Sequence, residues 1–274
     1  MNPQTVLPDC EEGLYYMDTL DVSLKKALAG NGELSLIYGP VYGIESQKLD
    51  SFHVKLLWNH PELGDITCDQ LMAIAERNGM TQMLGQWMLH KTCERLEQWQ
   101  LYSGRAMKAS LKICLSQLED KRFCEGVLYA LQQFHLDPGC LAFELELGLQ
   151  DKVTDHLLFA LTYLRARGVR IHLAETGTNG HSDALWRMIP ATGVKLSPSL
   201  IGAIHQKSRD RLAVSSMIEE AHRLGLRVTA EGVICREHFD ILQELGCDCA
   251  EGMLFGKPDN PEELDIELLP SIRH

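Results

Sequence analysis

Several features that would restrict the function of this protein are scarce in its sequence. No apolar run is long enough to span a bilayer, and the N-terminal stretch MNPQTVLPDCEEGLYY lacks the basic start and apolar core of a signal peptide. Basic residues are a minority, with 26 Lys and Arg against 38 Asp and Glu, and they form no long run. Nucleic-acid surfaces need clustered Lys and Arg. We therefore expect a cytoplasmic protein that contacts neither nucleic acid nor membrane directly.

The cysteines also lack the spacing of a disulfide framework or a local zinc motif. The chain has nine cysteines, an odd number, and no CxxC pair. The one close pair is Cys247-Asp-Cys249, which alone is a weak signal for metal or redox chemistry. We interpret the cysteines as reduced thiols, as is usual in the cytosol.

What is present is an ordinary globular composition, with 45% hydrophobic and 23% charged residues over 274 positions. We predict an N-terminal extension at residues 1–20, which are polar and contain proline, and a single domain over residues 21–274. The first elements of this domain are predicted to be a hairpin of strands 34–41 and 51–58, then helices over 68–79 and 81–100.

Strand and helix patterns then alternate in units of roughly 30 residues, the length of a βαβ crossover. This rhythm predicts an α/β fold, a parallel TIM-like (β/α)8 barrel, with a doubly wound open sheet as the alternative. In a barrel the residues at the carboxyl ends of the strands face the ligand site. The predicted strands are 109–115, 141–147, 169–174, 193–196, 226–230 and 249–254.

Several ordered motifs resemble the EAL family of cyclic-di-GMP phosphodiesterases over residues 22 to 262. They are WNHPELG, AIAERNGMTQMLGQWMLHKTCERLEQW, GVKLSPSLI, AEGV and LGCDCAEGMLFGKP. The resemblance implies a barrel of the EAL type. It also implies divalent metals that are held by strand-end carboxylates and activate water to cut a phosphodiester.

Most positions that this chemistry needs carry other residues here. The resemblance implies that metal ligands are replaced by His53, Cys114 and Ala174, and that the phosphate-holding Arg and the guanine-reading Asp are replaced by Leu57 and Ser197. A loop-anchoring Glu and a companion acid are replaced by Leu147 and Ile234. Mg²⁺ and Mn²⁺ sites are built from carboxylates, carbonyls and water, so losing three such ligands predicts a protein with no phosphodiesterase activity and no cofactor.

The polar remnant of the family site is Glu144, Lys195 and Glu231, with Glu175 and Glu251 as altered neighbours. One interpretation is residual ligand or acid–base chemistry. The favoured one is a buried ion-pair cluster, since carboxylates and a lysine in one barrel mouth satisfy each other.

A zinc site of His53, Cys114 and Glu144 is a further alternative, because His, Cys and Glu are zinc ligands. Against it, buried cysteine is common in packed interiors, and no local Cys/His spacing supports the site. Histidines elsewhere, including His60, His172 and His238, are expected on the surface or in helices.

Three functions remain open. The favoured one is an inactive EAL-like regulator that binds another protein, such as a transcription factor, and controls motility, adhesion or virulence in a bacterium. The second is a non-catalytic cyclic-di-GMP receptor, and the third is residual phosphodiesterase activity. The family resemblance also allows a homodimer.

Overall fold

The computed structural model describes residues 20–147, 152–175 and 183–264, apart from residues 21, 31 and 263. Only the backbone is described at Asp69, Glu175, Asp183 and Ala184. Leu20 is already helical and buried, so the described domain begins at the end of the predicted extension. No helix of this described part has the length and apolar character needed to cross a membrane.

The chain enters the barrel through an antiparallel hairpin, as the two strand-like segments predicted. Strand β1 (Leu34–Gly43) pairs with β2 (Leu49–His60), and the short β3 (Gly64–Ile66) pairs with the outer end of β2. The link between β1 and β2 is residues 44–48, which is too short for the crossover that parallel strands need. The predicted hairpin is therefore confirmed, and β1 runs antiparallel to β2 in a barrel whose other strands are parallel.

The remaining strands run parallel to β2 and close the barrel. The hydrogen-bonded order is β2-β4-β5-β6-β7-β8-β9-β1, and β1 pairs back to β2, which gives eight strands in the closed ring with β3 as an addition. The TIM-like α/β barrel is thus confirmed. Its later strands are β4 (Ala109–Lys112), β5 (Leu141–Glu146), β6 (Arg170–Glu175), β7 (Gly193–Leu196), β8 (Arg227–Glu231) and β9 (Cys249–Glu251).

Helices cover the outside of the barrel. Thr67 caps α2 with a full capping box, and the left-handed Gly104 ends α3, which runs three residues beyond its predicted end. The described helices are α1 (22–28), α2 (Cys68–Arg77), α3 (Thr81–Ser103), α4 (Leu115–Leu118), α5 (Lys121–Gln133), α6 (Asp155–Arg165), α7 (Asp183–Met188), α8 (Pro198–Ile201), α9 (Ser208–Arg223) and α10 (Arg236–Glu244).

Two strands, β4 and β9, end three residues earlier than their sequence pattern predicted. Strand β4 ends at Lys112 because Cys114 already starts α4. Strand β9 ends at Glu251 because Gly252 turns away with a φ of 146°, in contact with the backbone of Val233. Both endings lie at the carboxyl end of the barrel, where the chain must leave the sheet.

Candidate functional site

Five polar side chains from five strands meet at the carboxyl end of the barrel. They are His53 on β2, Glu144 on β5, Lys195 on β7, Glu231 on β8 and Glu251 on β9. Four of them are buried, and Glu231 is partly exposed. Because β2 and β4 to β9 run parallel, the ends of these strands bring distant parts of the sequence together.

The ammonium of Lys195 is the centre of this group, which we name the mouth cluster. Its Nζ lies 2.5 Å from Oε1 of Glu251, 3.1 Å from Oε2 of Glu144 and 3.6 Å from Oε2 of Glu231. The same Nζ lies 2.9 Å from Nδ1 of His53. Nδ1 of His53 also lies 3.2 Å from Oε2 of Glu251, and Nε2 of His53 faces Oε2 of Glu144 at 3.4 Å.

The charges in the mouth cluster stabilise one another. Burial alone raises the pKa of Glu144, but the neighbouring His53 and Lys195 outweigh burial, and the net direction is downward. Burial also raises the pKa of Glu251, and Lys195 and His53 again reverse it. For Lys195, burial lowers the pKa, whereas Glu144, Glu251 and Glu231 raise it above its usual value. Lys195, Glu144 and Glu251 are therefore all ionised at neutral pH.

The structure adds polar residues that the motif comparison missed. Ser110 on β4 donates from Oγ to Oε1 of Glu144 at 2.5 Å. Lys55 lies 3.5 Å from Glu231, and Lys112 lies 3.0 Å from Glu146. Strand periodicity could have identified Lys55, since it is two residues after His53 and so lies on the same face of β2.

A cleft of about 300 Å³ opens above the mouth cluster. Ala174 lines it with a methyl group where the family resemblance implies a metal-binding Asp. Ser197 also lines it, and its Oγ lies 2.8 Å from Oγ of Ser199. Three lysines, Lys55, Lys112 and Lys195, line the cleft among its carboxylates, so its charge is mixed.

Cys114 does not join His53 and Glu144. It starts α4, where burial and then the neighbouring Glu76 raise the pKa of its thiol to about 12. Among the described residues, the His, Cys, Asp and Glu side chains with atoms close enough to share an ion are His53, Glu231 and Glu251, within 4.8 Å of one another. The structure thus assembles a different group from the zinc site that the sequence offered as an alternative.

The other replaced positions lie around the cleft or outside it. Leu57 is half-buried on β2 opposite Ser35, Leu147 packs partly buried against the core, and Ile234 is 64% exposed. Glu175 ends β6 and pairs with Leu196, but its side chain, like residues 176–182, lies outside the part of the chain that the structure describes.

The histidine predictions need correction. His60 is buried on β2 and accepts at Nδ1 from the backbone of Glu62 and Leu63. His172 lies inside the barrel on β6, where burial lowers the pKa of its imidazole to about 4. His238 is in helix α10, as one of the expected settings, but is fully buried. Strand periodicity could have identified the position of His172, since it is two residues before Ala174 and so lies on the same face of β6.

Comparisons with known proteins agree with this barrel. The sequence model of the EAL domain matches residues 21–258. The chain is 30% identical over 228 residues to the bifunctional diguanylate cyclase/cyclic di-GMP phosphodiesterase MucR of Pseudomonas aeruginosa, which covers 82% of this chain and 32% of that protein. The chain spans about a third of the length of the curated relatives it matches first.

Solved structures give the same relationship. The PaMucR phosphodiesterase in complex with c-di-GMP has a TM-score of 0.82 and 26% identity, covering 89% of this chain and 99% of that one. The EAL enzyme Bd1971, bound to cAMP and cyclic-di-GMP, has a TM-score of 0.85 and 21% identity, covering 93% of this chain and 69% of that one. At this lower identity the second likeness shows the fold alone.

Proposed function

This chain belongs to the EAL-domain family, and we propose that it has lost the phosphodiesterase reaction and acts as a regulator that binds another protein. The observation that carries the first half is the combination of Ala174 in the cleft with His53 in the mouth cluster. The methyl group supplies no ligand atom, and an imidazole stands where the family resemblance implies a carboxylate ligand.

A divalent metal in the mouth would compete with Lys195 for the same oxygens. The ligands close enough to share an ion are His53, Glu231 and Glu251, and Lys195 is within 3.6 Å of both carboxylates. Mg²⁺ and Mn²⁺ favour sets of carboxylate, carbonyl and water oxygens. Here one ligand is an imidazole, and the two carboxylates already share the adjacent ammonium of Lys195.

Substrate anchoring is weakened as well. A phosphodiester is held best by a bidentate guanidinium, and Leu57 offers an apolar side chain at the implied position. Ser197 replaces a carboxylate that could accept two hydrogen bonds from a guanine edge with a single hydroxyl, which already contacts Ser199.

The test of inactivity is hydrolysis of cyclic-di-GMP by the purified chain with Mg²⁺ or Mn²⁺. We expect no turnover from the natural sequence. The matched comparison is a variant that carries His53→Glu, Leu57→Arg, Cys114→Asn and Ala174→Asp together, with MucR as the positive control. Turnover by the natural sequence that Glu144→Gln abolishes would show residual phosphodiesterase activity and overturn the proposal.

A surface beside the mouth supports the protein-binding half of the proposal. Ile234, Met253 and Leu254 are exposed apolar residues on the loops after β8 and β9. The two loops are tied together, since the amide of Val233 donates to Glu251 and the amide of Leu254 donates to Val233. Exposed apolar side chains that lie together are typical of protein interaction sites.

The partner class rests on analogy with inactive members of the family, and a transcription factor that controls motility, adhesion or virulence is the favoured one. Affinity capture from the native cell tests it. Ile234→Asp with Met253→Asp should abolish capture of a specific protein, whereas Leu101→Asp, a change at an exposed apolar residue on α3, should not. If the double variant captures the same protein, the binding surface lies elsewhere on the chain. If the natural sequence captures no specific protein, the result counts against an interaction role. Sedimentation analysis of the purified chain separates a second copy of this chain from a different partner.

One observation favours a second candidate, a non-catalytic cyclic-di-GMP receptor. Lys55, Lys112 and Lys195 line the cleft, and the PaMucR structure at 26% identity is a complex with c-di-GMP. Titration calorimetry without added metal tests it. Micromolar binding that weakens in Lys55→Met would establish the receptor, and no heat would exclude it.

A further inference from the structure

A second cavity, of about 290 Å³, lies at the opposite end of the barrel from the mouth. Its walls come from the first residues of several strands, including Arg170 on β6, Arg227 on β8 and Cys249 on β9. Lys108 and Thr192, just before β4 and β7, also line it. Because the strands run parallel, these amino-terminal ends gather distant residues just as the carboxyl ends do.

The cavity is positively charged in a chain whose formal net charge is −12. Four basic side chains line it, Lys108, Arg165, Arg170 and Arg227, against the single carboxylate of Asp50. Asp50 is already shared between Arg227 at 3.3 Å and Lys108 at 3.7 Å. The pKa of Asp50 is lowered, since these two neighbours outweigh the effect of burial. One carboxylate therefore leaves an excess of positive charge around this space.

Arg170 is the residue whose hydrogen bonds are missing. Its Nε and Nη2 are buried, and neither has a hydrogen-bond partner in the protein. Buried guanidinium donors almost always have acceptors, and an arginine fork matches a phosphate in geometry. Burial lowers the pKa of Arg170; Asp50 opposes this shift, and Arg227 adds to it. The site therefore lacks an anionic acceptor at Arg170.

Gly193 and His172 also form part of the cavity wall. Gly193 leaves space for an anionic ligand of Arg170, and the neutral imidazole of His172 favours a ligand that accepts a hydrogen bond. Gly193 sits between Arg227 and His172, and a Cβ there would lie 2.9 Å from the carbonyl oxygen of Arg227 and 3.2 Å from Cδ2 of His172. The imidazole of His172 lines the cavity and is neutral at pH 7, so it can donate one hydrogen bond without adding charge.

We propose that this cavity, lined by Arg170, Arg227 and Lys108 at the amino-terminal end of the barrel, binds the phosphate group of a small anion. A phosphate dianion balances the excess of positive charge better than a single carboxylate does, and it offers several oxygens to the basic groups of Arg170, Arg227 and Lys108 that line the cavity. A small turn of the Arg170 side chain would bring its buried Nε and Nη2 to these oxygens. The cavity is at the lower end of the size range of small-molecule sites. The site is separate from the mouth cluster and does not depend on the function proposed there.

The experiment is thermal unfolding of the full chain in increasing inorganic phosphate at constant ionic strength, with chloride as the balancing anion, followed by titration calorimetry. A ligand that binds only the folded state raises the Tm in a saturable way. We expect this with phosphate and not with chloride or acetate. Arg170→Met should weaken phosphate binding by about tenfold or more, because it removes the fork while keeping a side chain of similar length. Arg209→Met, an exposed arginine on α9 outside the cavity, should leave binding unchanged.

Lys108→Gln provides a second variant in case Arg170→Met does not fold, and it should weaken binding by several-fold. Glycerol phosphate separates the sources of the phosphate group. Tighter binding than inorganic phosphate indicates a phosphomonoester ligand, and weaker binding indicates free phosphate. Absence of a saturable response in the natural sequence, or equal binding in a folded Arg170→Met variant, would show that only water meets Arg170 and would overturn the proposal.

Discussion

The mouth cluster makes a stability prediction that can be worked from its geometry. Replacing Lys195 with methionine removes the ammonium that contacts Glu144, Glu231 and Glu251 and leaves two buried carboxylates facing each other. Removing one partner of a buried ion pair costs about 3–5 kcal/mol, because an uncompensated charge remains inside. We therefore expect Lys195→Met to lose about 3–5 kcal/mol of unfolding free energy at pH 7.5.

The loss of unfolding free energy in Lys195→Met should depend on pH, and the pKa shifts of Glu144 and Glu251 determine whether it grows or shrinks as the pH rises. With Lys195 present, the folded pKa of Glu144 and of Glu251 lies below the unfolded value, so their contribution is complete above the unfolded pKa and is lost as the pH falls through the folded pKa. Without Lys195, burial and mutual repulsion raise both pKa values, and only His53 opposes this rise. The variant is then destabilised further as the pH rises, and the deficit at pH 7.5 should exceed the deficit at pH 5.5.

Urea unfolding followed by tryptophan fluorescence at both pH values measures the effect. Lys55→Met is the matched control, since Lys55 is half-exposed and contacts only Glu231 within the cluster at 3.5 Å. It should cost at most about 1 kcal/mol. A loss below about 1 kcal/mol for Lys195→Met, or an equal loss at the two pH values, would refute the view that the lysine holds these carboxylates ionised.

Three further predictions concern packing and the thiols. Phe143→Ala should cost about 3–5 kcal/mol in urea unfolding, because Phe143 is fully buried on β5 and its removal leaves a cavity; a loss under 1 kcal/mol would contradict this packing. Gly252→Ala should cost at least about 2 kcal/mol, since a Cβ would lie 2.4 Å from the carbonyl oxygen of Val233 at a φ of 146°; a calorimetric Tm that does not fall would count against this backbone geometry. Cys93 and Cys140, whose thiol pKa values burial raises to about 12, should resist a thiol reagent at pH 8 until urea unfolds the chain. Mass spectrometry of the labelled peptides checks this, and rapid native labelling of either would be inconsistent with their burial.

The fold was accessible from sequence because its signals are local. Alternating strands and amphipathic helices at crossover spacing predict a barrel, and the motifs around WNHPELG and LGCDCAEGMLFGKP place it in one family. The antiparallel pairing of β1 and β2 was also accessible, because two strand-like segments joined by a short link predict a hairpin. Strand ends at Lys112 and Glu251 needed the structure, since capping and a strained glycine decide them.

For the functional site, too, some features follow from the sequence and others only from the structure. The sequence by itself determined which residues remain at the strand ends, including Glu144, Lys195 and Glu231, and that Ala174 carries no ligand atom. Only the tertiary structure decided that Lys195 takes the centre of the mouth and that Cys114 lies outside it. It alone brought Arg170 and Arg227 to one cavity. The reason is that the sequence gives the residue type at each strand end directly. The distance between side chains on different strands depends on closure of the barrel, which no local sequence pattern specifies.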